Sequence, residues 1–196
     1  MKEFKSERRL QKITSVVKSR QFTLRVVLEN IHDPHNVSAI FRTCDAVGVP
    51  KVTLIYNREK FPKIGKKSSG SAFKWVEKEK FSSVSECYES LRQNGFIIYA
   101  SSISDDALDI YKLDFKKKIA IVLGNEHRGV SDEAAKLADK KFKIPMFGMV
   151  QSLNVSVAAA IVLYEALRQR MKKGFYKKTE LSESTLEEII EKWSRK

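Results

Sequence analysis

The chain has 196 residues, 42% of them hydrophobic, which suits one domain with a real core and excludes a disordered chain. Its 37 Lys and Arg outnumber 24 Asp and Glu, giving a net charge of +13 and a pI near 9.7, so the expected partner is a polyanion, nucleic acid before any other. A basic membrane-surface protein is the competing reading. No segment sets a Trp- and Phe-rich face against a basic one, and no apolar run approaches the roughly 20 residues that span a bilayer. The start MKEFKSERRLQK is charged, unlike a signal peptide, and Cys44 and Cys87 form no spaced motif. A cytoplasmic protein with buried, reduced thiols is expected.

Residues 3–20 read as a basic amphipathic helix, with Phe4, Leu10, Ile13 and Val17 near one stripe and Arg8, Arg9, Lys12, Lys18 and Arg20 around the rest. Near-continuous apolar runs at 25–29, 51–56, 96–101 and 119–123 predict buried strands of a parallel sheet covered on both faces. Helices are predicted between and after them at about 37–47, 83–94, 131–139 and 153–170, and no segment repeats. Asn36 is a candidate cap for the first of these, and Gly48 and Pro50 stop it. Val37, Ile40, Phe41, Cys44 and Val47 form its apolar stripe, which leaves Arg42 free for a site.

Later in the chain, Ile144, Pro145 and Met146 read as a short strand that enters a turn at Gly148. Ser152, Leu153 and Asn154 then open a long apolar helix. Such a turn offers unpaired N–H groups to an anionic or zwitterionic ligand, although Ser152 could equally be an ordinary cap. The helix at 153–170 shows little polar face, which suggests a subunit interface. The acid-free tract RQRMKKGFYKK follows, and SESTLEEIIEKWSRK, opening with serines and early glutamates, predicts a final helix.

Several chemistries are disfavoured. GNEHRGVS at 124–131 mimics a phosphate-binding loop until Val130 stands where lysine is required. No G-x-G-x-x-G follows a strand, and His32, His35 and His127 have no partners at zinc-like spacing. Methyl transfer to a ribose hydroxyl is compatible: it needs an oriented hydroxyl, a way out for its proton and a cation near the forming alkoxide. A sulfonium donor loses its charge as the methyl leaves, so that chemistry needs no metal.

Three segments taken together, RVVLENIHDPHNVSAIFRTCDAVGV (25–49), IAIVLGNEHRGVS (119–131) and IPMFGMVQSLNVSVA (144–158), resemble the motifs of the SPOUT superfamily of RNA methyltransferases. Within it the match is closest to the SpoU/TrmH branch, which methylates the 2′-hydroxyl of tRNA guanosine. The likeness covers roughly residues 22–170. It implies an α/β fold, a parallel sheet flanked by helices with a deep C-terminal trefoil knot. The knot rests on the resemblance alone, since ordinary topology rules exclude knots. The expected layout is a basic helical extension at 1–20, the methyltransferase domain at 21–170, and a basic linker with a C-terminal helix at 171–196.

By resemblance, Arg42 is the catalytic arginine and Asn36 its orienting partner, with Glu126, Ser152 and Asn154 completing the active site. S-adenosylmethionine is implied as cofactor, held largely by backbone at Ala100, Ser101, Leu123, Gly124, Ile144, Met149 and Leu153. Arginine is effectively always protonated, so Arg42 is either a base in an extreme environment or a cation that binds phosphate and alkoxide. A homodimer is implied, with tRNA as partner and neither membrane nor metal. RNA contacts are expected from Arg8, Arg9, Lys12, Arg20, Arg128, Arg168, Arg170, Lys172 and Lys173, with the loop Phe61–Lys67 as a further candidate. The roughly 20 residues ahead of the first strand are few for a separate RNA-binding domain, so none is expected. Guanosine 18 of the tRNA D-loop is therefore the expected target. Ribosomal RNA or the tRNA wobble nucleotide is the enzymatic alternative, and a non-catalytic RNA-binding module is the remote one.

Overall fold

A computed structural model describes residues 7–63 and 72–196. The start of the expected N-terminal helix, including Phe4, and Ile64 to Lys67 of the candidate RNA loop lie outside the described residues. Seven strands form one sheet: β1 (Leu24–Glu29), β2 (Lys51–Ile55), β3 (Glu77–Phe81), β4 (Ile97–Ser101), β5 (Leu108–Asp109), β6 (Ile119–Leu123) and β7 (Lys140–Lys143). Their order is β3-β2-β1-β6-β4-β7-β5, and every pairing is parallel. The helices are α1 (Glu7–Lys18), α2 (Pro34–Ala46), α3 (Ala72–Trp75), α4 (Val84–Gln93), α5 (Asp132–Leu137), α6 (Val155–Lys172) and α7 (Glu183–Ser194).

Side chains alternate across the sheet and feed two cores. Val26 and Leu28 of β1 join Ile40 and Phe41 of α2 and Val162 and Leu163 of α6 on one face. Val27 joins Ile98, Ala120 and Val122 with Cys87, Tyr88 and Leu91 of α4 and Ala134 of α5 on the other. Both cysteines are buried thiols, and burial raises their pKa, that of Cys87 to about 12. A third, small cluster joins α1 and α7 through Ile13, Val17 and Trp193, with Trp75 against them.

The structure corrects several sequence expectations. The strand before the turn at Gly148 is Lys140–Lys143, not 144–146; it buries only Phe142, so its sequence shows no apolar run. Strand β3, EKEKF, was not anticipated; it is an edge strand, where charges discourage pairing with another chain. The two-residue β5 closes the other edge. Helix α2 starts at Pro34 with Asp33 as its cap, its carboxylate accepting from the His35 N–H at 2.7 Å, so Asn36 is not the cap. Helix α6 starts two residues later than expected and is capped by Asn154, not Ser152.

Two charges are spent on the fold. Arg170, at the end of α6, is 0% exposed, and all five of its N–H groups meet neutral oxygens. Nε donates to the Phe115 carbonyl at 2.9 Å. Nη1 reaches Gln21 Oε1 and Thr23 Oγ1, and Nη2 the Thr23 and Lys117 carbonyls at 3.0 and 2.7 Å. This guanidinium ties α6 to the approaches of β1 and β6. Arg20 is 2% exposed; it pairs with Asp45, donates to the Val49 carbonyl at 3.2 Å and lies 5.1 Å from the Trp193 ring.

An Arg170→Met substitution keeps the volume but strands those acceptors, so it is expected to lower unfolding free energy by about 3–5 kcal/mol. Chemical denaturation measures it. A loss below about 1 kcal/mol would show that the acceptors find water instead.

Candidate active site

The site lies beyond the carboxyl ends of the parallel strands, where open α/β sheets hold ligands. The loop after β6 begins at Gly124, where a Cβ would come within 2.1 Å of Gly129 C and Val130 N. No side chain fits there. The loop returns on itself through an Asn125–Gly129 bridge, with Gly129 at φ +67°, and carries Glu126, His127 and Arg128 out on its turn.

Glu126 is the hub. Its carboxylate accepts from the backbone N–H of His32 at 3.1 Å, the N–H of Asp33 at 3.2 Å and Asn36 Nδ2 at 2.9 Å. Partial burial raises its pKa, but the hydrogen bond from Asn36 and those from the backbone outweigh this, so the carboxyl stays below its ordinary value. Asn36 is 6% exposed, and its Oδ1 accepts from Asn154 Nδ2 at 3.0 Å. Asn154 in turn takes the Ser156 N–H at 2.8 Å, starting α6. One polar chain thus links the three motif segments. Releasing Asn36 from capping leaves both ends of its amide free for this.

Arg42 is exposed and makes no hydrogen bond or ion pair among the described residues. It lines a cleft of about 330 Å³ with His35, Ser38 and Ala39. His35 and Ser38 were missed by sequence reasoning; their spacing of seven and four residues from Arg42, which places them on one helical face, was the available signal. Ser152 is exposed and makes no hydrogen bond among the described residues.

The seven residues expected to hold the cofactor fall on three neighbouring chain segments. Ala100 pairs with Val122 of β6 and Lys141 of β7, so the strand ends leading to Ser101, Leu123–Gly124 and Ile144 lie side by side. The Ser102 N–H donates to the Phe142 carbonyl at 2.8 Å. Beyond β7 the chain exposes Phe147 and Met149 almost completely and Val150 by 64%. Three strand ends side by side, with exposed apolar side chains on the segment that follows, suit a partly apolar ligand held by main-chain groups.

The residues expected to contact RNA divide. Arg8, Arg9 and Lys12 of α1, Lys172 of α6 and Lys173 just after it are exposed. Arg168 is held by Glu165 at 2.7 Å and Arg128 by Glu59 at 2.7 Å, both with about half of the side chain open. Arg20 and Arg170 are corrections: both are buried, Arg170 bonded through all three of its nitrogens and Arg20 paired with Asp45, so neither offers its charge to RNA.

Residues 23–164 match the SpoU rRNA Methylase family. The tRNA (guanosine(18)-2′-O)-methyltransferase of Thermus thermophilus is 44% identical over 98% of this chain and 98% of its own length. The enzyme of the same name from Escherichia coli is 41% identical over 86% of this chain and 73% of its own length. Among solved structures, the A. aeolicus TrmH/SpoU tRNA modifying enzyme superposes with a TM-score of 0.90 at 42% identity, covering 96% of both chains. The SpoU methyltransferase AviRb from Streptomyces viridochromogenes, solved in complex with the cofactor AdoMet, gives 0.68 at 26% identity over 79% of this chain and 62% of that one. With a family match over residues 23–164, most of its length, the chain belongs to the SpoU methylase family.

Proposed function

We propose that the protein transfers a methyl group from S-adenosylmethionine to the ribose 2′-hydroxyl of guanosine 18 in tRNA. The observation that carries this reading is the Glu126–Asn36–Asn154 chain, with the exposed Arg42 on the same helix as Asn36, in a protein whose 41–44% identical relatives are named for that reaction. When bound, S-adenosylmethionine supplies an electrophilic methyl on a positively charged sulfur. Backbone at Ala100, Ser101, Leu123, Gly124, Ile144, Met149 and Leu153 holds it.

The protein's own residues do the rest. Asn36, fixed at both ends of its amide, orients the polar rim on which the ribose rests, with Ser152 and Asn154. A guanidinium in water keeps its proton. Arg42 therefore acts as a cation, steadying the alkoxide and a neighbouring phosphate while the hydroxyl proton leaves to phosphate or water. Glu126 acts through Asn36 and the 32–33 backbone, a positioning residue rather than a base, since all its observed bonds hold the loop.

The finer points of the reading are these. The C-terminal part of the domain forms the deep trefoil knot. The domain spans 21–170, with a basic helical extension at 1–20 and a basic linker with a C-terminal helix at 171–196; RNA is held through Arg8, Arg9 and Lys12, through Arg168 at the end of the domain, and through Lys172 and Lys173. The protein works in the cytoplasm as a homodimer, without a metal. The dimer is supported by α6, where Val157, Tyr164 and Met171 recur every seven residues and are 47%, 53% and 59% exposed.

Incubation with labelled S-adenosylmethionine and unmodified tRNA transcript, followed by nucleoside mapping, is expected to place the label in 2′-O-methylguanosine of the D-loop. Label on ribosomal RNA or the wobble nucleotide would change the substrate, and none on any RNA would favour a binding module. In the same assay Arg42→Ala is expected to abolish transfer, about 100-fold or more, while calorimetry finds cofactor binding intact. Loss of cofactor binding would remove Arg42 from the reacting centre. Sedimentation is expected to give twice the chain mass; an active monomer would contradict the dimer.

A further inference from the structure

Outside the polar chain of the site, one acidic residue stands out because it occupies a cation that the RNA would use. Glu59 Oε1 takes Arg128 Nη2 at 2.7 Å, and its Oε2 lies 3.6 Å from His32 Nδ1. Arg128 is two residues past Glu126, and His32 lends its N–H to Glu126, so the pair sits on the rim of the proposed active site.

An exposed ion pair is ordinarily a casual encounter of little consequence. This one is built. The side-chain oxygen of Asn30 accepts the backbone N–H groups of Arg58 and Glu59, each at 3.1 Å, and its Nδ2 donates to Asn57 Oδ1 at 2.8 Å. The Asn30 carbonyl accepts from Asn125 Nδ2 at 2.8 Å. Asn125 Oδ1 then accepts the N–H groups of His127 and Arg128 at 3.0 and 3.3 Å. Two asparagines bonded to each other therefore pin the main chain of both members of the ion pair. Asn30 is 4% exposed and is the one non-glycine residue at positive φ (+50°) among the described residues. Conformations of that kind persist where surrounding contacts enforce them, and they gather at functional sites.

We propose that Glu59 is a specificity-determining residue, a built-in carboxylate that holds Arg128 until an RNA phosphate correctly placed at the rim displaces it. A guanidinium presents the same fork of donors to a carboxylate and to a phosphate, so the exchange conserves its bonds. An RNA that offers no phosphate at that point gains nothing from Arg128 and meets the charge of Glu59 instead. The residue thereby lowers affinity for all RNA but lowers it least for the one that fits. The inference rests on the RNA-methylating reading above.

The test is a double-mutant cycle on the full chain, with methyl transfer to tRNA transcript as readout and an unstructured RNA of equal length as competitor. Glu59→Gln is expected to lower KM for tRNA about two- to five-fold, with the change falling in KM rather than kcat. The competitor is expected to gain more than tRNA does. In an Arg128→Gln background most of the Glu59→Gln gain is expected to vanish. Arg128→Gln alone is expected to raise KM and to flatten the salt dependence of binding by roughly one counterion. A raised or unchanged KM in Glu59→Gln, or a gain that persists in full without Arg128, would overturn the proposal. Wild-type activity separates the two failures: no label on tRNA defeats the functional reading, whereas normal labelling with an unchanged KM in Glu59→Gln defeats only the gate.

Discussion

The carboxylate of Glu126 is the interaction on which the rest of the site depends. It takes three donors, two from the backbone of the loop after β1 and one from Asn36 on α2. A carboxylate with its lone pairs so directed fixes positions in space rather than merely adding charge. Through Asn36 the same constraint reaches Asn154, which sets where α6 begins. Three segments far apart in sequence thereby share one hydrogen-bonded chain. Gly124 is the backbone condition for it, since any side chain there would push the loop bearing Glu126 off the sheet.

The charge balance divides between fold and function in a way the total of +13 hides. Arg170 and Arg20 lie inside, where a guanidinium satisfies carbonyls that a small sheet leaves exposed at its strand approaches. Arg42 has no such company among the described residues. That contrast sets Arg170, surrounded by oxygens that the fold fixes, apart from Arg42, which stands in a cleft with no bonded acceptor among the described residues. Arg128 is intermediate, engaged by a carboxylate that a competitor can displace.

Much of this was legible in the residues. The four central strands read as apolar runs, and the resemblance to SPOUT motifs pointed to Asn36, Arg42, Glu126, Ser152 and Asn154, of which Asn36, Glu126 and Asn154 share one hydrogen-bonded chain. What escaped has physical reasons. EKEKF and KKFK read as polar because β3 is an edge strand and β7, one strand in from the other edge, buries only Phe142, so little apolar surface is demanded of them. Asn36 resembled a cap because Asn favours that role, but Asp33 before Pro34 satisfies the helix start first. The burial of Arg20 and Arg170 depends on carbonyls from distant segments, and no local pattern encodes that. Glu59 likewise acquires meaning only when Asn30 brings its loop against the one bearing Arg128.

The measurement that most directly tests whether the polar chain works as a unit is a kinetic cycle between its two ends, Glu126 and Asn154, which are joined through Asn36. Glu126→Ala, Asn154→Ala and the double variant are compared by kcat at saturating tRNA and S-adenosylmethionine, with folding checked by thermal melting. If the chain is one device, the double variant is no slower than the slower single one, because breaking either end already frees Asn36. If the two losses multiply, Glu126 and Asn154 act independently, and the linked chain is not what orients the site.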